Sequence, residues 1–275
     1  MNNWQNIYNT FDPVAFHIGS LPVFWYGIMY ATALIIAILV AKYIVKKDKL
    51  PIKEDIFDGY IWWAEIGVIL GARLGYIIIY DKNTWYYMTH PWQIFNPFID
   101  GMYAGISGMS YHGAIIGFVI ATYLYCKKHK ISFWYMSDIA VIAIPLGYIF
   151  GRIGNFLNQE LIGRATDMPW GIYVGSILRH PSQLYEAILE GLFVFIILYW
   201  YRNRKKFNGE LTLLYGILYS IGRIIAEFYR EPDFHIGFIM NTKWLTMGMI
   251  TSFIVLVLAI VLYVVISKRI VSRKS

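Results

Sequence analysis

Apolar residues fill long stretches of this chain, and polar residues collect between them. The near-continuous apolar runs predict membrane spans near 23–45, 59–80, 109–126, 138–156, 182–201, 211–229 and 245–267. Several approach the ~20 residues that a helix needs to cross the hydrocarbon core of a bilayer. The expected fold is therefore all-α, a polytopic membrane helix bundle of about seven transmembrane helices, with 1–275 forming a single integral membrane domain. Two longer segments fall outside the spans, 81–108 and 157–181. They are rich in aromatic residues, Gly and Pro, including Trp85, Trp92, Pro97, Pro169 and Trp170. Such segments form a small cap or lie at the interface, where Trp and Tyr are favoured.

Composition supports this reading. The chain is 58% hydrophobic and 15% charged, against roughly 25% charged in soluble domains. The net charge of +7 would suggest nucleic acid, but its distribution excludes that partner. Lys42, Lys46, Lys47, Lys49 and Lys53 follow the first span, and Lys127, Lys128 and Lys130 the third. Arg202, Arg204, Lys205 and Lys206 follow the fifth, and Lys268, Arg269, Arg273 and Lys274 close the chain. The opposite side holds only Lys82, Arg164, Arg179, Arg230 and Lys243. By the positive-inside rule the N-terminus is outside and the C-terminus cytoplasmic. Residues 1–22 lack the basic start of a secretory signal. Cys126 is the only cysteine, which excludes an intramolecular disulfide.

The candidate chemistry lies at the end of the fourth apolar run. In 151–163, Gly-Arg-Ile-Gly-Asn-Phe-Leu-Asn-Gln-Glu-Leu-Ile-Gly, Arg152, Asn155, Asn158 and Glu160 stand within nine positions. Charged groups in a span are costly and mark function by default. The predicted topology carries further polar groups to the same, extracytoplasmic half: Tyr26 on the first span and His112 on the third. Gln183, Glu186 and Glu190 share one face of the fifth. Tyr219, Arg223, Glu227 and Arg230 lie on the sixth. Guanidinium groups make paired, charge-assisted bonds to phosphate and keep their charge when desolvated. A phospholipid headgroup supplies phosphate at that level, and arginines would stabilise charge growing on it as a leaving group. Glu160, Glu186, Glu227 and His112 are candidates for proton transfer or orientation.

Several of these residues also have structural readings. Arg223 and Glu227, four apart, can form an in-helix ion pair, and Arg73 with Glu65 reads as packing. Gly113 and Gly117 have the small-x-x-x-small spacing of closely packed helices. Tyr26 suits an aromatic belt, and His112 an interfacial position. A transporter would also place charges inside a bundle, but no continuous charged path runs through the cytoplasmic half. Asp58-Gly59 with Ala72-Arg73 faintly matches a metal-using alcohol phosphatidyltransferase, but the downstream aspartates are missing. The six histidines (17, 90, 112, 129, 180, 235) show no close pairing, so no metal or other cofactor is expected.

The 151–163 segment resembles the signature of the bacterial phosphatidylglycerol–prolipoprotein diacylglyceryl transferase family. Five further segments agree in order: DPVAFHIG with WYGIMYA within 12–31, GARLGY at 71–76, SGMSYHGA at 107–114, RHPSQLYEA at 179–187 and GRIIAEFYREPD at 222–233. The resemblance implies transfer of diacylglyceryl from phosphatidylglycerol to the lipobox cysteine thiol of a prolipoprotein signal peptide, at the bacterial cell membrane. The products would be a thioether and glycerol phosphate. The family's essential arginines match Arg152 and Arg223, and its important Tyr, His, Asn, Glu and Gly match Tyr26, His112, Asn155, Glu160 and Gly163. Tyr219 and Glu227 match further motif residues, while Gln183 and Glu186 lie in the RHPSQLYEA segment. The nucleophile would be the substrate's thiol, because Cys126 is placed at the cytoplasmic end of its span. Its proton would go to His112, Glu160 or an ordered water. The chain departs from the family at Phe24, Ile106, Ser107 and Ala114, and segment 81–108 does not match closely.

Overall fold

The computed structural model describes residues 4–81, 83–99, 102–103, 108–232 and 237–272. Lys82, Ile106, Ser107, His235, Arg273 and Lys274 of the sequence reading lie outside them. Each predicted apolar run is a helix: α1 (Trp25–Lys47), α2 (Glu54–Ile79), α4 (Tyr111–His129), α5 (Phe133–Leu157), the run from α6 (Ser182–Glu186) to α7 (Phe193–Tyr201), α8 (Glu210–Glu227) and α9 (Met247–Ser272). A short α3 (Thr84–Thr89) lies between α2 and α4.

Five of these runs are long and apolar enough to cross a membrane: Trp25–Lys47, Glu54–Ile79, Phe133–Leu157, Ser182–Arg204 and Met247–Arg269. Helices α4 and α8, on the predicted third and sixth spans, are more polar. In α8 the polar residues Glu210, Ser220, Arg223 and Glu227 are buried, while Ile221, Ile225 and the following Phe228 are exposed. That is the reverse of a helix at a water surface.

Strands were not expected, yet among the described residues three short antiparallel hairpins occur: β1 (Val14–Ile18) with β2 (Leu21–Phe24), β3 (Phe98–Ile99) with β4 (Met102–Tyr103), and β5 (Ile172–Val174) with β6 (Ile177–Arg179). Their strands of two to five residues are too short to give a clear alternation signal. Helix α2 begins five residues before the predicted boundary. Glu54 and Asp55 occupy its first turn, where carboxylates are favoured by the helix dipole.

The chain forms two compact units, 1–44 with 138–275, and 45–137. In the second, α2 and α4 approach through glycines. A Cβ on Gly113 would overlap the Gly71 carbonyl and stand 2.8 Å from Gly75 Cα; one on Gly71 would lie 2.7 Å from Gly117 Cα. Small residues let helix backbones come this close. Arg73 is buried there, donating to the Ile94 and Gly108 carbonyls with Tyr76 and Tyr87 beside its guanidinium.

In the first unit the chain before β1 closes over the end of α5. Tyr8, Phe156 and Ile172 form a small core with Trp4, Ile7 and Phe11 around it. Asp138, at the other end of α5, fastens α8. Its carboxylate accepts from Gly209 N at 2.8 Å, from Thr212 N and Oγ1 at 2.9 Å, and from Lys205 Nζ at 2.9 Å.

Candidate active site

The site is built where α5, the α6–α7 run and α8 meet. Between α6 and α7, Ala187–Leu192 forms a π-helical segment in which Phe193 N–H bonds the Ile188 carbonyl five residues back. Such wide turns are rare and concentrate at functional sites. Glu186 precedes the segment and Glu190 lies in it, and both are fully buried. Glycines admit the neighbouring helices: a Cβ on Gly191 would be 3.1 Å from the Pro145 carbonyl, and one on Gly222 3.0 Å from that of Leu189.

Arg152 and Arg223 converge on one oxygen. Arg152 Nε lies 2.9 Å, and Arg223 Nη1 3.0 Å, from Glu186 Oε2. Arg223 Nη2 pairs with Glu227 Oε1, and its Nη1 lies 3.8 Å from Glu190 Oε1. Arg230, one turn beyond, reaches Glu227 Oε1 at 3.3 Å and Glu186 Oε1 at 4.0 Å. Thr246 donates to Glu227 Oε2 at 2.6 Å. Three cations thus face three carboxylates, a balance that makes burial tolerable, since an unpaired charge costs several kcal/mol (about 3–5 when one partner is removed).

The loop after α5 is held from many sides. Arg152 Nη1 donates to Asn155 Oδ1 at 3.2 Å, and Asn155 Nδ2 to Glu160 Oε1 at 3.3 Å. Glu160 stands between Gln159 and Leu161, both at positive φ, 57° and 55°. A non-glycine residue in the left-handed region costs about 1–2 kcal/mol, so surrounding bonds must hold it. Gln183 Nε2 donates to the Glu160 carbonyl at 2.6 Å, and Gln159 Nε2 to the Tyr8 carbonyl at 3.0 Å. Gln183 is fully buried, so its visible part is to fix Glu160. Asn158 Oδ1 accepts from Tyr26 N at 3.1 Å.

Gly163 is the crossing point of three segments. It bridges to Arg230, and its carbonyl accepts from Arg179 Nη1 at 3.0 Å. Arg164 N bonds the Tyr229 carbonyl at 2.8 Å, and His180 N the Arg164 carbonyl at 3.0 Å. A Cβ here would overlap the His180 carbonyl and lie 2.8 Å from that of Tyr229.

Of the sequence-derived residues, Tyr26, Asn155, Glu160, Gly163, Gln183, Glu186, Arg152, Tyr219, Arg223 and Glu227 all belong to the first unit, and the network above joins most of them. Tyr219 stands edge-on to the Tyr148 ring, centroids 5.9 Å apart. His112, on the first turn of α4 in the second unit, is exposed beside Tyr111. Cys126, on the same helix, is buried. Among the described residues, no set of three His, Cys, Asp or Glu side chains is arranged to hold a metal ion.

Three contributors escaped the list of site residues drawn from sequence. Tyr148 donates to Glu190 Oε2 at 2.6 Å, and its ring centroid is 4.7 Å from the Arg152 guanidinium carbon. Its one signal was the four-residue spacing from Arg152. Arg164 donates to the carbonyls of Glu227 and Arg230 at 3.0 and 2.8 Å. Thr246 lies in a connecting segment with nothing to mark it.

The family model for prolipoprotein diacylglyceryl transferase matches residues 13–265, which include every charged residue of this network. The phosphatidylglycerol–prolipoprotein diacylglyceryl transferase of Aliarcobacter butzleri strain RM4018 is 66% identical over 273 residues, 99% of this chain and 100% of the relative. The enzyme of the same name from Campylobacter jejuni strain 81-176 is 60% identical over 267 residues, 97% of each chain. That from Campylobacter curvus strain 525.92 is 58% identical over 269 residues, 98% of this chain and 99% of the relative. With signature arginines paired across a buried site and similarity running end to end, the chain belongs to the prolipoprotein diacylglyceryl transferase family.

Proposed function

We propose that this diacylglyceryl transferase works by clamping the phosphate of phosphatidylglycerol between Arg152 and Arg223. A prolipoprotein's lipobox cysteine then displaces that phosphate. The observation that carries this is the convergence of both guanidiniums on Glu186 Oε2 with donors to spare. Neither Arg152 Nη2 nor Arg223 Nε is committed to a protein acceptor among the described residues, and a guanidinium has five N–H donors. Two such edges, on guanidiniums that share one carboxylate oxygen, suit a phosphate, which prefers paired charge-assisted bonds.

The thiolate attacks the glyceryl carbon next to the phosphate oxygen. A C–S bond forms, the C–O bond breaks, and its electron pair leaves on glycerol phosphate. The arginines stabilise that developing charge in a site shielded from water. An unperturbed thiol has a pKa of ~8.5, so its proton needs an acceptor near neutral pH. Glu160, held by Asn155, and His112, by its place in the shared motif, are the proposed groups. The proton ends on the released phosphate monoester. Glu227 fixes Arg223, while Glu186 and Gln183 fix Arg152 and the Glu160 loop. Tyr26, Tyr219 and Gly163 shape the lipid's surroundings.

The wider setting belongs to the same proposal. All seven long helices cross the bacterial cell membrane, N-terminus out and C-terminus in. The site opens toward the extracytoplasmic leaflet, and segments 81–108 and 157–181 lie on that side of the membrane as a small cap. The experiment uses purified protein, phosphatidylglycerol vesicles and a lipobox peptide, following peptide mass and released glycerol phosphate. Alanine at Arg152 or Arg223 should abolish the diacylglyceryl mass gain while leaving an inserted protein. Normal transfer by both variants would refute the clamp.

A further inference from the structure

The bonds around Arg152 leave one of its contacts without a part in the reaction: Tyr148. This residue lies one turn earlier on α5, so its side chain shares a face with Arg152. The guanidinium carbon sits 4.7 Å from the ring centroid, within the range of a cation–π contact. The phenol is anchored in turn. Its hydroxyl donates to Glu190 Oε2 at 2.6 Å and lies 3.5 Å from Glu186 Oε2. Tyr219 braces the ring edge-on at 5.9 Å. Glu190 is fully buried in the π-helical segment, so the hydroxyl is tied to a fixed point.

We infer that Tyr148 is a positioning residue for phospholipid binding, a ring platform that sets the plane of the Arg152 guanidinium. This rests on the phosphate-clamp reading above. Arg152 is otherwise held along its edges, by Glu186 at Nε and Asn155 at Nη1. Two edge contacts leave the plane free to tilt, and the ring removes that freedom. What remains available is the Nη2 edge, already aimed. A long side chain ordered before the lipid arrives does not have to be ordered by it, and affinity gains by that difference. The hydroxyl bond to Glu190 keeps the platform from sliding along α5. The same bond supplies one of the few partners of a buried carboxylate whose Oε1 has no hydrogen bond.

The test measures transfer to a lipobox peptide with full-length protein, varying the phosphatidylglycerol fraction of the vesicles and the peptide separately. Tyr148→Leu and Tyr148→Met remove the ring, Met with a longer and more flexible side chain, and Tyr148→Phe keeps it. Both ring-less variants should raise the KM for phosphatidylglycerol roughly tenfold and leave the peptide KM within about twofold, the split expected of a lost cation–π seat. Tyr148→Phe should hold the lipid KM within about threefold. A merely structural residue would lower the active fraction without moving one KM selectively. An unchanged lipid KM in the ring-less pair would overturn the inference, as would a Phe variant as impaired as Leu. Ring-less proteins that fail to insert would make Tyr148 a folding residue and overturn it too. Arg152→Ala is run alongside. If it is inactive while the ring-less variants match wild type, the platform fails and the clamp stands; if it is active, both fail.

Discussion

Replacing Gly163 with alanine tests whether this site depends on one backbone crossing. The added Cβ would overlap the His180 carbonyl, stand 2.8 Å from His180 Cβ and lie 2.8 Å from the Tyr229 carbonyl. None of these atoms is the end of a flexible side chain. Carbon–oxygen contacts relax near ~3.3 Å, so the segments must part by on the order of 0.5–1 Å. The His180 N–Arg164 O and Arg164 N–Tyr229 O bonds, 3.0 and 2.8 Å, bind the same strands and oppose that opening. Overpacking of this kind costs about 1–3 kcal/mol. The effect on activity should be larger than on stability. Arg164 hangs from this crossing and carries the carbonyls of Glu227 and Arg230, so a shift reaches the Arg223–Glu227 pair. A misplacement near 1 Å can cost ~100-fold in rate.

The assay is peptide lipidation in vesicles, with the melting temperature of the same preparations. Gly175→Ala is the control. Its glycine has φ +62° in the β5–β6 turn and open space around it, so it pays a backbone strain of about 1–2 kcal/mol without touching the site. Gly163→Ala should lose ~30–100-fold in kcat/KM, and Gly175→Ala should lose stability only. If Gly163→Ala transferred lipid at the wild-type rate, the crossing would not be holding the site in register.

Three other outcomes are expected. Asp138→Ala strips a buried carboxylate from Gly209, Thr212 and Lys205 and should cost about 3–5 kcal/mol, read as a lower melting temperature with normal activity per folded molecule. Gly113→Ala, which drives a methyl into the Gly71 carbonyl, should destabilise the α2–α4 pair by about 1–3 kcal/mol, seen in yield and melting. Burial holds His180 below its ordinary pKa, with Asp167 partly offsetting this. The unfolded chain therefore binds that proton more readily, and stability falls as pH drops below ~6.5. His180→Asn should flatten the melting temperature between about pH 7.5 and 5.5; an unaltered slope would remove His180 from the account.

The helices were legible because a bilayer demands long uninterrupted apolar runs, and this chain has them. The same demand exposed Arg152, Glu186, Arg223 and Glu227, since charge in such a run stands out. Tyr148 could not stand out among 23 tyrosines, because what distinguishes it is a ring face and a hydroxyl partner. The hairpins were hidden by their shortness, and the start of α2 by carboxylates that read as loop. Gly163 was visible through the family signature, but its reason is a contact between segments 17 and 66 positions away, His180 and Tyr229. No local pattern carries that. Thr246 was invisible for the same reason.

The π-helical segment fixes a phase as well as a shape. An α-helix turns ~100° per residue, and the wider turn at Ala187–Leu192 accommodates roughly one residue more than an α-helix would over the same rise. Upstream, Ser182 and Gln183 keep their angular setting toward the Glu160 loop and Glu186 toward the arginines. Downstream, Phe193–Tyr201 is reset, with Val194 and Leu198 inward and Phe193 and Ile196 outward. Loss of a single residue between Glu186 and Phe193 would leave hydropathy almost untouched and yet rotate one half against the other. Either the buried carboxylates or the apolar inner face would then point the wrong way. Substitutions can drift through this helix, but its length is quantised, and the number of residues there is as much a part of the active site as their identity.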